Sequence, residues 1–299
     1  MNTKFINCLC CNADNGELII DREKPRHFIC KNCGFVYMNP IPDFEANKSF
    51  YETDYWQEHH QIEGLITQYN FRPRHGRMAK WLKNHGVKPN ELLIEIGCGF
   101  GFNLDFLRTE LGIVPEGLEP SKSGVYNTIN AFNINCYSGG VNEFNPGKKY
   151  DVALMSHVLE HFDDPLAALE KAHSILNKNG VIWIEVPNIL YPTPNKLLDK
   201  WLSKEHISYF SPGKLKWFLE TAGFQIIKEE YDNYCCVLAQ KAEPKLNVPF
   251  INEFHTVKKA LRMQRLNYFK YKVLKKFKID IYKKYHQKSY VSKMALNAG

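Results

Sequence analysis

The apolar positions of this chain alternate between two periods. Residues 92–96, Leu-Leu-Ile-Glu-Ile, form a short and almost continuous apolar run carrying one carboxylate, Glu95. Such a run predicts a strand of a parallel sheet, buried on both faces. It breaks into Gly97, Gly99 and Gly101, after which 102–108 takes up helical spacing. The segment GIVPEGLEPS predicts a second strand ending in Glu119, and a weaker third strand lies around 133–137. A fourth strand is expected over 152–156. Asp163 and Asp164 ahead of Pro165 then cap a helix over 165–176. A turn at 177–180 leads to a fifth strand at 181–186. KLKWFLETAGF reads as a helix with a glycine C-cap, and FQIIKEEYDN with CCVLAQK as a closing antiparallel hairpin holding Cys235 and Cys236 in its core strand. The alternation predicts a doubly wound α/β domain over 89–242, entered through a helix at 66–88 that Pro89 ends. An insertion at 187–210 interrupts it.

The flanks differ from this body. Residues 1–45 carry Cys8-x2-Cys11, eighteen further residues, and Cys30-x2-Cys33-Gly34. Two thiolate pairs at this separation have the layout of a zinc ribbon, with Cys8, Cys11, Cys30 and Cys33 as ligands. Cys10 competes with its neighbours, but only Cys8 leaves the two-residue gap to Cys11. Four thiolates leave no open coordination position, so the zinc is expected to be structural. Residues 46–88 read as linker helices, with Tyr51 and Tyr55 at i and i+4 on one face, either as a lid or as core contacts. Residues 243–299 form a basic helical extension. Phe250, Phe254, Val257, Leu261, Leu266, Phe269, Val273 and Phe277 keep helical spacing there with one slip.

Charge separates the same parts. The chain of 299 residues has a formal charge of +7, but from Pro244 onward fourteen Lys/Arg face only Glu253 and Asp280. The body is therefore mildly acidic and the tail strongly basic. The tail suits an anionic membrane surface, RNA phosphate, or packing on a second subunit. No run of 18 apolar residues and no hydrophobic leader is present, and nine cysteines are too few and uneven for a disulfide scaffold. A cytoplasmic location is expected, with the inner membrane face as an extension of it.

The glycine spacing selects the ligand. A strand, a glycine turn and a helix N-terminus cradle nucleotide-like groups. The dinucleotide fingerprint wants its third glycine at 102, where this chain has Phe102. Acidic-x-Gly-x-Gly-x-Gly from Glu95 to Gly101 instead resembles motif I of the class I S-adenosylmethionine-dependent methyltransferases. The block from Tyr150 to Asn188, with His157-Val-Leu-Glu-His161, resembles motifs IV and V of that family, and Glu119-Pro120-Ser121 matches its second acidic position. The resemblance covers 91–240. It implies a Rossmann-like, seven-stranded methyltransferase sheet, S-adenosylmethionine as cofactor, and cofactor contacts from Glu95, Gly97, Cys98, Gly99, Gly101, Glu119, Ser156 and His157. The N-terminal pattern of cysteine pairs, Asn39-Pro-x-Pro42 and the two tyrosines resembles bacterial methyltransferases of sugar and surface-glycan pathways. That implies a sugar or glycan acceptor.

Methyl transfer from a sulfonium is an in-line displacement that mainly needs alignment. A hydroxyl acceptor must also lose a proton, usually to histidine near neutral pH. His206 is expected first for that task because it lies in the insertion that faces the acceptor, with His161 second and His157 beside the transfer site. Packed, hydrogen-bonded histidines are the alternative for each. Asp-Pro-Pro-Tyr and Asn-Pro-Pro-Tyr are missing after the fourth strand, where Ser156-His157 stands, which argues against methylation of base amino groups. An RNA-binding methyltransferase that uses ribbon and tail is the rival reading, with small-molecule N- or C-methylation as a third.

Overall fold

The computed structural model describes residues 3–20, 26–42, 50, 72–245 and 248–276. Tyr51, Tyr55, the start of the helix expected at 66–88 and everything from Phe277 onward lie outside the described residues.

The N-terminal part is built from five short strands, β1 (Thr3–Lys4), β2 (Gly16–Ile20), β3 (His27–Cys30), β4 (Val36–Met38) and β5 (Ile41–Pro42). Helix α1 (Arg72–Asn84) leads into β6 (Leu92–Ile96), α2 (Phe102–Leu111), β7 (Val114–Glu119), α3 (Lys122–Phe132) and β8 (Cys136–Ser138). The second half continues with β9 (Tyr150–Ser156), a 3-10 turn (Leu159–His161), α4 (Pro165–Ile175) and β10 (Leu176–Pro187). Then follow α5 (Leu198–Trp201), β11 (Ser208–Tyr209), α6 (Pro212–Thr221), β12 (Phe224–Tyr231), β13 (Tyr234–Lys241) and α7 (Phe254–Lys276).

Seven strands make the central sheet in the order β12-β13-β10-β9-β6-β7-β8. The five from β10 to β8 are mutually parallel, and β13 runs antiparallel between β10 and β12. The order reverses between β6 and β9, and a doubly wound sheet opens its ligand crevice at such a point. Successive residues of β6 feed opposite layers. Leu93 packs with Trp81, Leu104 and Leu107 on one face, and Ile94 and Ile96 with Leu169 and Phe218 on the other.

The sheet has the expected fold class, and its details depart from the pattern in three places. Strand β8 is only three residues and starts later than expected, because Asn133 caps α3 in the left-handed region and Ile134 is spent on packing. The turn expected at 177–180 becomes an exposed bulge inside β10. Leu176 pairs with Tyr150 and Val181 with Val152, so the polar residues between them loop out of register. Finally, α6 is capped at Ala222, and Gly223 takes the left-handed turn one residue later.

The insertion after β10 does more than interrupt the alternation. Its strand β11 pairs antiparallel with β4, Ser208 opposite Tyr37 and Tyr209 opposite Val36. The N-terminal sheet is therefore four-stranded, β11-β4-β3-β2, with one strand lent by the body. Phe35 is fully buried and stacks edge-on to Phe210 and tilted to Phe218, each at 5.4 Å. The first half of α7 closes the same seam. Phe254, Val257 and Leu261 pack with Ile29, Val36 and Tyr209, and the Glu253 amide donates to the Cys33 carbonyl at 3.0 Å. Leu266, Phe269 and Val273, farther along α7, are exposed. No helix among the described residues is long and apolar enough to cross a membrane.

The shared aromatic packing predicts that ribbon and sheet unfold together. Phe35→Ala should cost about 3–5 kcal/mol in chemical denaturation with a single transition. Two separated transitions, or a loss below about 1 kcal/mol, would mean that the ribbon stands alone.

Candidate active site

The glycine turn after β6 is shaped by contacts on both sides. Gly97, Gly99 and Gly101 have φ of 70°, 56° and 81°, a region in which a β-carbon is strained. A β-carbon on Gly97 would also stand 2.5 Å from Cγ2 of Val158, so this glycine lets the loop after β9 close onto the loop after β6. The Gly97 amide donates to the Leu118 carbonyl at 2.8 Å, which joins the turn to the end of β7.

Glu119 ends β7 and is buried. Its carboxylate accepts from the Gly99 amide at 2.9 Å and from the Ser121 amide at 3.0 Å. Ser121 in turn caps α3 by accepting from the Gly124 amide. The acidic residue expected at a ribose is thus held at the carboxyl edge of the sheet, against the glycine turn. Glu95 is also buried and accepts from Asn103 Nδ2 at 2.6 Å, which ties the β6 carboxylate to the first turn of α2. Cys98 points its buried thiol to Cys136 Sγ at 3.6 Å, and the hydrogen bond to that second thiol, together with burial, pushes it up. The same thiol stays 3.9 Å from the Gly99 carbonyl.

The three predicted histidines come together around a residue the sequence reading passed over, Glu160. Ser156 ends β9 and His157 follows in the left-handed region, φ 55°, which swings its ring back over the sheet edge. His157 Nδ1 lies 3.4 Å from Glu160 Oε1, and its Nε2 lies 3.3 Å from Glu185 Oε1. The rings of His161 and His206 meet edge-on at 4.8 Å, and His206 Nε2 is 4.0 Å from Glu160 Oε1. Behind them, Arg77 from α1 reaches Glu185 at 3.5 Å, and Tyr234 stands edge-on to His157 at 5.0 Å.

His206 is not the readily titrating histidine that its place in the sequence suggested. Burial, reinforced by His161, pushes its imidazole down to about 3, so the ring is neutral at physiological pH. Burial lowers His161 as well. The signal for Glu160 was present locally, since Glu160 and His161 share the 3-10 turn that follows His157, three and four residues on. Nothing local pointed to Glu185, Arg77 or His27, whose Nε2 bonds the His206 carbonyl at 3.2 Å.

The four expected cysteines also converge. Cys8, Cys11, Cys30 and Cys33 place their sulfurs within 4.8 Å of one another, with Cys8–Cys33 and Cys11–Cys30 both at 3.6 Å. The Phe35 amide donates to Cys33 Sγ at 3.4 Å.

Residues 66–229, just over half of the chain, match the family described as "Methyltransferase domain". Solved structures share the fold. The 1,6-didemethyltoxoflavin-N1-methyltransferase of Burkholderia thailandensis, bound to 1,6-didemethyltoxoflavin and S-adenosylhomocysteine, is 15% identical, covers 76% of this chain and 100% of its own, and superposes with a TM-score of 0.55. Magnesium protoporphyrin IX methyltransferase of Synechocystis PCC 6803, with bound S-adenosylhomocysteine, is 15% identical over 67% of this chain and 100% of its own, TM-score 0.51. An O-methyltransferase family protein of Burkholderia thailandensis is 13% identical over 66% and 64%, TM-score 0.50. At these identities the likeness is one of fold. No curated protein matches the chain.

The contact between the two loops is testable by itself. Gly97→Ala should cost about 1–3 kcal/mol through strain at positive φ and the clash with Val158. Adding Val158→Ala should recover part of that loss in thermal unfolding. Strict additivity of the two changes would remove the clash as the cause.

Proposed function

The chain belongs to the methyltransferase-domain family, and from that premise we propose that it O-methylates a sugar or glycan hydroxyl. The methyl donor is S-adenosylmethionine. Its place is the carboxyl edge of β6 and β7, where the glycine turn and the fixed carboxylate of Glu119 meet the N-terminus of α3.

The observation that carries the reading is the contact of Val158 with Gly97, which sets the Glu160–histidine cluster directly against the cofactor turn. An enzyme that only aligned an activated nucleophile would need no such cluster. A hydroxyl, by contrast, needs a proton acceptor beside the transfer point. The sugar acceptor is supported by the N-terminal pattern of cysteine pairs, Asn39-Pro-x-Pro42 and tyrosines. We further propose one structural zinc on Cys8, Cys11, Cys30 and Cys33, whose donor chemistry and spacing suit a closed four-thiolate site.

Three outcomes are expected. Calorimetry should show binding of S-adenosylmethionine and S-adenosylhomocysteine but not NAD, and Gly99→Val should abolish it in a folded protein. Tight NAD binding would contradict the methyl donor. Transfer of labelled methyl to nucleotide sugars should fall by about 10²–10⁴-fold in His206→Ala with cofactor affinity unchanged. Near-normal turnover per folded molecule would shift the reading to an N- or C-nucleophile. Zinc bound by the ribbon should be lost in Cys8→Ser and Cys30→Ser and kept in Cys10→Ser; the reverse pattern would move the first ligand to Cys10.

A further inference from the structure

We infer that Glu160, His161 and His206 form a second metal site, which takes one divalent transition-metal ion and is distinct from the four cysteines. One donor atom from each of the three residues lies within 4.8 Å of the other two. Ligands at zinc-like bond lengths stand about 3.3 Å apart in a tetrahedron. Small side-chain rotations therefore close the set around an ion.

Two further observations point to a cation. Glu160 is fully buried, and its carboxylate has no well-formed hydrogen bond among the described residues: the nearest donor, His157 Nδ1, stands 3.4 Å from Oε1, a long contact that leaves Oε2 unmet. A buried carboxylate in that condition is costly unless a cation meets it. The second concerns tautomers. His161 Nδ1 lies 3.1 Å from the Glu205 carbonyl, which can only accept, so Nδ1 carries the proton and Nε2 carries the lone pair. A metal-binding histidine is usually set in this way, with its other ring nitrogen donating to a backbone carbonyl.

Two imidazoles and one carboxylate suit zinc, iron, cobalt or manganese better than magnesium or calcium. Three protein ligands also leave positions open, unlike the closed cysteine set. Because Val158 joins this turn to Gly97, an acceptor hydroxyl bound at an open position would face the methyl donor; the ion would lower its pKa, His206 would serve as ligand rather than base, and His157, outside the ligand set, would be left to take the proton. That last consequence rests on the methyltransferase reading; the binding itself does not.

The test therefore uses neither methyl donor nor acceptor. The full chain is stripped, reloaded with zinc or cobalt, dialysed, and its metal counted. Zinc X-ray absorption of the wild type should show nitrogen or oxygen ligands beside sulfur, at two ions per chain. The cobalt form should show a tetrahedral or five-coordinate band without sulfur charge transfer in addition to the thiolate bands. Glu160→Gln should lose one of the two ions and keep the thiolate bands, and His206→Ala should do the same if Glu160→Gln fails to fold. An all-sulfur zinc environment at one ion per wild-type chain would overturn the inference. So would two ions that both survive the two substitutions. In a separate assay, absence of methyl transfer by the wild type with the second ion bound would count against the proposed reaction and leave the metal site standing.

Discussion

One buried residue, Ile207, ties the turn after β9 to the N-terminal sheet. The Ile207 amide donates to the Glu160 carbonyl at 2.9 Å, and the Ile207 carbonyl accepts from the Met38 amide at 2.7 Å. One residue of the insertion is thus bonded on one side to the acid–histidine turn and on the other to the N-terminal sheet. Ile207 is buried, so both bonds are obligatory in the sense that losing either leaves an orphaned backbone group. His27 adds a third tie through the His206 carbonyl. The cysteine ribbon, the insertion and the histidine cluster therefore share one framework, and His206 is placed by the ribbon as much as by the methyltransferase sheet.

The cofactor side is held by other means. Glu119 bridges the glycine turn and the cap of α3, and Val158 fills the space that Gly97 leaves open. None of these contacts passes through the ribbon. In-line transfer depends on the alignment of donor and acceptor, and in the proposed reading the two are set by different parts of the fold that meet at Val158 and Gly97. The carboxyl edge of β9 carries the buried polar groups, and Phe35, Phe210 and Phe218 pack against one another at 5.4–5.5 Å.

What the sequence disclosed follows the range of each interaction. The apolar run at Leu92–Ile96, the glycine triplet and Glu119 at the end of β7 are local signals, and each stands where its pattern implied. The cysteine pairs likewise announced their own cluster. Strand β11 was hidden because two residues carry no periodicity and its partner β4 lies far back in the chain. Glu160 was overlooked for a related reason. Its neighbours His157 and His161 were visible, but its importance depends on His206, which only the insertion's return path brings near. Helical spacing in the tail was legible from Phe254 to Val273, although Phe250 lies ahead of α7 in irregular chain; the surface it would cover was not, since Ile29, Val36 and Tyr209 come from two distant segments.

Amide hydrogen exchange with and without an intact cysteine cluster tests this shared framework most directly. Cys11→Ser removes one sulfur without touching the sheet, the glycine turn or the insertion. The account predicts faster exchange at Ile207 and through Ser208–Tyr209, with the amides of Leu92–Ile96 and of Gly97 and Gly99 keeping their protection. Unchanged protection at Ile207 in a chain whose β3 and β4 amides have opened would contradict it, and would show the acceptor side to be held by the methyltransferase sheet alone.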